Sequence, residues 1–226
     1  MLKKQYTFMI GKHKLMKPWE KWSLFAIFFL IYFVFWSYSF MTGSQWIIDN
    51  SIALFTLILL ILFSNVLKLK KTGFILLNLA LLTHNLGTFG YYSLTWKFLA
   101  YDNLVHFISL IVIAYITFNI VSIRFYKVPN NRDIFEENKY LFIILVMCAA
   151  ISLSVLLELV EFGGYYYLGE GEGLLLAGVG DSDPMNNGIR DQYGDTMSDL
   201  IVNIFGAFIG AFGYYYFRIR NPYLTH

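Results

Sequence analysis

Apolar runs recur along this chain at close to the length that a helix needs to cross a lipid bilayer. About 20 predominantly apolar residues span a hydrocarbon core of roughly 30 Å as a helix, and only helices and closed barrels satisfy their own backbone hydrogen bonds there. Six such runs, each bounded by charge, glycine or proline, lie at about 22–41, 50–67, 73–96, 102–123, 140–168 and 195–217. We therefore predict an all-α fold, a polytopic integral membrane bundle of six transmembrane helices.

The composition agrees with a chain that lies almost entirely in a membrane. Hydrophobic residues make up 58% of the sequence and charged residues 14%, whereas soluble domains average about 45–50% and about 25%. We predict a basic N-terminal segment at 1–21, one transmembrane domain at 22–217 and a short tail at 218–226. Membrane lipid is the expected partner and nucleic acid is not; the sequence does not indicate the oligomeric state.

The distribution of cationic residues predicts the orientation of the bundle. Lysine and arginine are retained in short loops on the cytoplasmic side of a membrane. With six crossings, 15 of the 17 lysines and arginines fall on one side, and only Lys97 and Arg190 fall on the other. We therefore expect a multi-pass protein of the cell membrane with both termini in the cytoplasm.

Ionisable residues interrupt the third to sixth predicted spans. Placing such a group in hydrocarbon costs about 2.5–3.5 kcal/mol on insertion scales, so each one indicates a function or a specific partner. Because successive spans alternate in direction, all of them fall in the outer half of the bilayer. The set consists of His84, Asp102, His106, Glu158, Glu161, Asp195, Asp199 and the amide Asn203.

The spacing of these residues lets them face one another. Within each helix they stand three or four apart, as with Asp102 and His106, so each set shares one helix face. We predict that they form a single polar pocket beneath the outer surface. Five carboxylates and two imidazoles in a medium of low dielectric constant require protons, Arg190 or a bound cation as counter-charge.

Oxygen and imidazole donors without a thiolate suit Zn, Mn or Fe, and Mg or Ca where oxygen dominates. A divalent metal is therefore the predicted cofactor. Its predicted ligands are His84, Asp102, His106, Glu158, Asp195 and Asp199. Three residues receive predicted catalytic roles, namely Glu161 as general base, Glu158, and Arg190 as a group that neutralises a carboxylate or holds a phosphate.

Each of these residues also has a purely structural interpretation. Asp102 and Asp195 can cap their helices, although capping leaves His106 and Asp199 one turn further in unexplained. His84 can be a hydrogen-bonded core histidine. Protonated glutamates in the fifth span can hold neighbouring helices together through hydrogen bonds.

Two further features concern the last span. The outer loop at 169–194 is long, glycine-rich and acidic, which favours a lid or re-entrant segment over the polar layer; a disordered acidic loop is the alternative. Gly206 and Gly210 stand four apart, a small-xxx-small spacing that indicates close contact with another helix.

The motifs of the last four spans resemble those of a known group of membrane proteins. Asp102-Asn-Leu-Val-His106-Phe107, Glu158-Leu-Val-Glu161, Arg190 and the segment from Asp199 to Gly210 resemble the motif series of VanZ-like proteins. Asp195-Thr-Met-Ser-Asp199 is closer still to the related YjdF-like family, whose six-span members are uncharacterised. The resemblance covers about 85–210 and implies a membrane location and a shared polar core, but no reaction or substrate.

This chain departs from the VanZ-like pattern at two positions. Asn103 stands where lysine is common, and Glu161 stands where glutamine is common. Both differences make the site more acidic, so roles inferred for VanZ-like proteins transfer poorly to it.

Three functions fit these observations. The first is a metal-dependent membrane hydrolase that acts on a lipid or lipid-linked substrate from the outer leaflet. The second is a non-catalytic membrane scaffold, and the third is a proton- or cation-coupled carrier. A carrier needs a polar path to the inner side, where the spans offer only Asn78, Ser109, Thr117 and Asn119.

Overall fold

The fold is a bundle of six helices in the part of the chain that the computed structural model describes, which is residues 15–44, 46–96, 99–126, 135, 137–168 and 192–220. The helices are α1 (Pro18–Thr42), α2 (Ile47–Phe63), α3 (Lys71–Gly87), α4 (Tyr101–Tyr126), α5 (Lys139–Leu168) and α6 (Gln192–Tyr214), and a π-helical turn (Tyr215–Arg220) extends α6. A 3₁₀ turn (Tyr91–Ser93) and a two-stranded antiparallel hairpin, β1 (Thr95–Trp96) and β2 (Leu99–Ala100), join α3 to α4.

The ends of α1 show how the sequence sets these boundaries. Pro18 occupies the first turn, where its missing N–H costs no helical hydrogen bond. The carboxylate of Glu20 accepts a hydrogen bond from the backbone N–H of Lys17 at 3.0 Å. At the other end Gly43 adopts a left-handed conformation with φ of 63°, which a residue without a Cβ reaches at little cost.

Helix α4 is the centre of the bundle because it belongs to both hydrophobic clusters. One cluster joins α4 to α5 and α6 through residues such as Leu110, Ala150 and Ala207. The other joins α4 to α1, α2 and α3, with Val112 and Ile116 as the contribution of α4. The two clusters therefore form two groups of helices that meet along α4.

Helices α4, α5 and α6 alternate in direction along the chain. Between α4 and α6 the residue numbers of contacting pairs increase on both helices, from Asn103 with Asp199 to Asn119 with Tyr214, so these two helices run parallel. Between α4 and α5 the numbers increase on α4 but decrease on the partner, from His106 with Glu158 to Phe118 with Phe135 just before α5, so these helices run antiparallel. This alternation is the up-and-down arrangement that successive crossings of a membrane require.

Helices α4 and α6 approach each other backbone to backbone at two glycines. A Cβ atom built on Gly206 would lie 2.6 Å from the carbonyl oxygen of Phe107, and one built on Gly210 would overlap the carbonyl oxygen of Ile111. Ala207 and Ala211 are fully buried in the same contact. The small-xxx-small prediction is therefore confirmed, and its partner is α4.

The helical architecture is confirmed, and four helices (α1, α4, α5 and α6) are long and apolar enough to cross a membrane. Helix α2 is apolar but shorter, and α2 and α3 have 17 residues each, about 26 Å at 1.5 Å per residue. Six crossings and cytoplasmic termini therefore stay predictions. The segments at 1–14 and 221–226 and most of the loop predicted at 169–194 lie outside the described residues.

The predicted third span, 73–96, was too long. Helix α3 ends at Gly87, and Gly90 turns the chain with φ of 99° before the 3₁₀ turn begins. The ring of Tyr92 packs against Gly87, where a Cβ would clash with it. Two glycines in four residues thus end the helix, although the apolar character of the sequence continues past them.

The contact between α4 and α6 predicts a strong difference between two glycines of the same helix. We expect Gly210→Ala to lower the stability of the protein by about 1–3 kcal/mol, because the added methyl group meets the backbone of α4. Gly213→Ala is the matched control, since nothing lies within 4 Å of a Cβ there and alanine favours a helix over glycine. Thermal unfolding in detergent measures both, and equal melting temperatures would contradict this packing.

Candidate functional site

The imidazole of His106 connects α4 to α5 near the start of α4. Its Nε2 lies 3.5 Å from Oδ1 of Asp102, one turn earlier on the same helix. Its Nδ1 lies 3.2 Å from Oε1 of Glu158 on α5. All three side chains are buried, so the ring is held between two carboxylates away from solvent.

Helix α6 supplies a second set of polar contacts to the same region. The amide of Asn103 donates hydrogen bonds to Oδ1 of Asp199 at 2.6 Å and to the hydroxyl of Ser198 at 2.9 Å. One turn further, the amide of Asn203 lies 3.1 Å from Nδ1 of His106 and donates to Oγ of Ser154 on α5. Hydrogen bonds from these side-chain amides therefore join the three helices, and an amide donates such bonds at any pH.

Two groups of possible metal ligands share His106. Its ring, Asp102 and Asp199 form the first group, and its ring, Glu158 and Glu161 form the second; within each group the ligand atoms lie within 4.8 Å of one another. The first group is buried throughout, whereas Glu161 is half-buried. A nitrogen ligand with two carboxylates suits Zn, Mn or Fe.

A separate polar group lies on α2 and α3. The hydroxyl of Tyr92, in the 3₁₀ turn, is 2.6 Å from Nδ1 of His84. On the other side of the ring, Nε2 of His84 is 3.8 Å from Oδ1 of Asp49, in the first turn of α2. Asp49 is only 1% exposed, so this carboxylate is as deeply buried as those of α4 and α6.

A network of neutral side chains fixes the positions of Asp49 and His84. Asn50 follows Asp49 and Asn85 follows His84, and both asparagines are completely buried. Asn85 donates a hydrogen bond to Oδ1 of Asn50 at 2.5 Å. Asn50 in turn donates to Oγ of Ser39 on α1 at 2.9 Å. The network ties α1, α2 and α3 together at the level of the site.

A cavity of about 300 Å³ lies between the two polar groups. Asp49, His84 and Tyr92 border it on one side, and Asp102, His106 and Glu161 border it on the other. Away from these residues its walls are mainly apolar, with Leu60, Leu77, Val112 and Leu153 among them. The volume is at the lower end of the range for small-molecule sites, roughly 300–1,000 Å³.

The family relationship of the chain agrees with this architecture. Residues 22–220 match the model of a protein family described as a predicted membrane protein, DUF2238. The chain belongs to this family. No curated protein and no solved structure matches the chain. The DUF2238 match includes α2 and all but the first four residues of α1, which the VanZ-like resemblance did not cover.

The structure of this DUF2238 protein brings most of the predicted site residues together, with three exceptions. Asp102, His106, Glu158, Glu161 and Asp199 form the two groups around His106, with Asn203 in contact. His84 and Asp195 belong to neither group. His84 contacts Asp49 instead, and both lie on the side of the cavity opposite His106. Arg190 lies outside the described residues.

Asp49 and Tyr92 are members of the site that the sequence did not predict. Asp49 stands in the first turn of α2, where an acidic residue usually signals only the start of a helix. Tyr92 was not among the predicted site residues, yet its hydroxyl lies 2.6 Å from Nδ1 of His84 and it borders the cavity. The available signal was Asp49-Asn50, a polar pair at the edge of an apolar run that needed a buried partner.

Asn103 holds the hairpin, α4 and α6 together, so its loss should affect the whole protein. It is 2% exposed, and its carbonyl accepts a hydrogen bond from the N–H of Ala100 at 2.9 Å while its amide donates to Ser198 and Asp199. We expect Asn103→Ala to cost about 1–3 kcal/mol, because these partners lose their bonds in a buried place. Asn65→Ala, at an exposed position, is the control in the same thermal unfolding experiment. Identical melting temperatures would show that Asn103 does not join these elements.

Proposed function

We propose that this protein is a metal-dependent membrane hydrolase that acts on a lipid or lipid-linked substrate. The observation that carries the proposal is the pair of ligand groups that share His106 at the wall of a mainly apolar cavity. In this proposal Asp102, His106 and Asp199 hold a divalent cation, and the cavity admits the substrate. A bound metal of this kind lowers the pKa of its water toward neutrality and polarises a carbonyl or phosphoryl oxygen.

Glu161 is the general base in this proposal because of its position. It borders the cavity and is half-buried, whereas Glu158 is 3% exposed and lies against Nδ1 of His106. Glu161 is therefore the carboxylate that can meet both substrate and solvent. Glu158 is a positioning residue that orients the imidazole, as outer carboxylates commonly do for metal-bound histidines. Neutralisation of a carboxylate of the site by Arg190 remains part of the proposal.

The proposed orientation places this site in the outer half of the cell membrane, with both termini in the cytoplasm. The distribution of lysine and arginine supports it. The VanZ-like and YjdF-like resemblance is consistent with the proposal, because its motif positions are the ones that surround His106.

A non-catalytic scaffold is the second candidate, and the hydrogen bonds that the side-chain amides of Asn103 and Asn203 donate favour it. These bonds cross-link three helices whether or not a metal is present. The carrier hypothesis is weaker, because the far end of the cavity is bordered by Leu60, Val112 and Ile113. Outside the two polar groups, the described lining residues add hydroxyls only at Thr56, Ser109 and Ser154.

Metal analysis of the purified protein tests the proposed ligands. We expect near-stoichiometric divalent metal in the wild type, and a loss of at least about tenfold in metal affinity in His106→Ala and Asp199→Asn. Asp195→Asn should retain the metal, since Asp195 belongs to neither ligand group; its loss there would favour the ligand set predicted from sequence. A wild-type protein without metal would overturn the proposal, and a lower melting temperature of Asp199→Asn in such a metal-free protein would favour the scaffold.

Hydrolysis of p-nitrophenyl dodecanoate, a single-chain ester, tests the proposed reaction. We expect Glu161→Gln to retain its metal and to lose activity by about 10²–10⁴-fold, which is the usual contribution of a general base. Glu137→Gln, at an exposed position before α5, is the matched control and should hydrolyse the ester normally. Equal rates for the wild type and for both Glu161→Gln and His106→Ala would remove the enzyme assignment.

A further inference from the structure

The cavity has its charged residues at one end and is mainly apolar along its length, where Thr56 and Ser109 add hydroxyl groups. Its length can be measured along two helices. On α2 the lining residues run from Asp49 at the polar end to Leu60, and on α3 they run from His84 to Leu77. At 1.5 Å per residue these intervals correspond to about 10–16 Å along the helix axes. A ligand that fills such a space has a polar head and a single narrow apolar chain, which reaches about half of the ~30 Å hydrocarbon thickness.

The charges at the polar end select the head group. Asp49, Asp102 and Glu161 border the cavity, and no lysine or arginine is among the described residues that do so. A divalent cation held by Asp102, His106 and Asp199 would offset the negative charge of that wall only. Asp49, on the opposite wall, adds further carboxyl oxygens to the lining; they accept hydrogen bonds from an ammonium group, whereas an ionised phosphate is itself an acceptor.

Two aromatic rings accompany Asp49. Trp46 directly precedes α2, and its ring stacks on that of Tyr92 with centroids 5.7 Å apart and an angle of 29° between the planes. Both residues border the cavity, as Asp49 does. The faces of tryptophan and tyrosine attract ammonium groups within about 6 Å, and a carboxylate beside them adds a charge-assisted hydrogen bond.

From these observations we propose that the cavity binds a single-chain amphiphile with a positively charged amine head group. The ammonium group lies between Asp49 and the Trp46–Tyr92 pair, and the chain lies along the apolar walls near Leu77 and Ala80. The inference extends the proposed function, since it names the kind of head group and chain that the same cavity accepts.

Competition binding tests the head group. The wild-type protein in phosphatidylcholine nanodiscs is incubated with tritiated dodecylamine, and binding to empty nanodiscs is subtracted. Dodecylamine, dodecanol and dodecyl phosphate serve as competitors, and because all three have the same chain, their affinities report on the head group. We expect saturable binding of the amine, competition by dodecanol at least about tenfold weaker, as the loss of one charge-assisted hydrogen bond implies, and weaker competition still by the phosphate. Dodecyl phosphate that competes as well as the amine would overturn the proposal, and so would an absence of saturable binding.

Variants test the two ends of the cavity separately. Asp49→Asn keeps the shape of the side chain and should weaken dodecylamine binding about tenfold while it leaves dodecanol unchanged. Ala80→Phe fills the apolar part, since Ala80 borders the cavity, and should abolish binding of both compounds. Ala26→Phe, at an exposed position on α1, is the matched control and should bind normally. Unchanged binding in both Asp49→Asn and Ala80→Phe would show that the amine binds elsewhere.

The two proposals fail in different ways. Metal content is measured in the same samples, and Asp199→Asn is included because Asp199 does not border the cavity. If dodecylamine binds but no metal is found, the amphiphile site stands and the hydrolase does not. If metal is present and head-group selectivity is absent, the hydrolase stands and the amine-specific site does not.

Discussion

The backbone contact between α4 and α6 is the constraint on which the site depends. Gly206 and Gly210 let the two parallel helices approach to the point where a methyl group would not fit. In a membrane, lipid tails are as apolar as leucine, so close packing and interhelical hydrogen bonds hold such helices together. One to two turns from the glycines, the same approach brings Asp199 to Asn103 and Asn203 to His106. A wider separation of the two helices would break both contacts.

The remainder of the site follows from the double role of α4. One side of this helix packs with α5 and α6 and the other with α1, α2 and α3. The carboxylates near His106 belong to the first group of helices, and the Asp49–His84–Tyr92 group belongs to the second. The cavity lies where the two groups meet, so each group contributes one polar wall. Neither group of helices could form this cavity alone.

Much of this arrangement was predictable from sequence because it follows from periodicity. Apolar runs gave the helical segments, and spacings of three and four placed Asp102 with His106 and Glu158 with Glu161 on single helix faces. The alternation of successive spans then put these faces at one depth. The glycine spacing in α6 predicted a close helix contact, which the structure confirms.

The rest was not predictable because it depends on which helices are neighbours. His84 shares the depth of His106 but faces Asp49, since α3 packs beside α2 in the second group of helices. Hydropathy extended the third span to 96, whereas Gly87 and Gly90 end the helix early and place Tyr92 over His84. Asn103, interpreted as a departure from a family pattern, instead joins three elements through its hydrogen bonds.

Among the described residues, none of those that border the cavity lies on α6. That helix supports α4 from behind, whereas α2, α3 and α5 form the remaining walls. A displacement of the α2–α3 pair would therefore widen the cavity for molecules arriving from the lipid phase without moving α4, α5 and α6 apart. It would leave the glycine-mediated junction, the Asn103–Asp199 hydrogen bond and the contact of His106 with Glu158 intact, so an entry route and a rigid chemical centre can coexist in one small bundle.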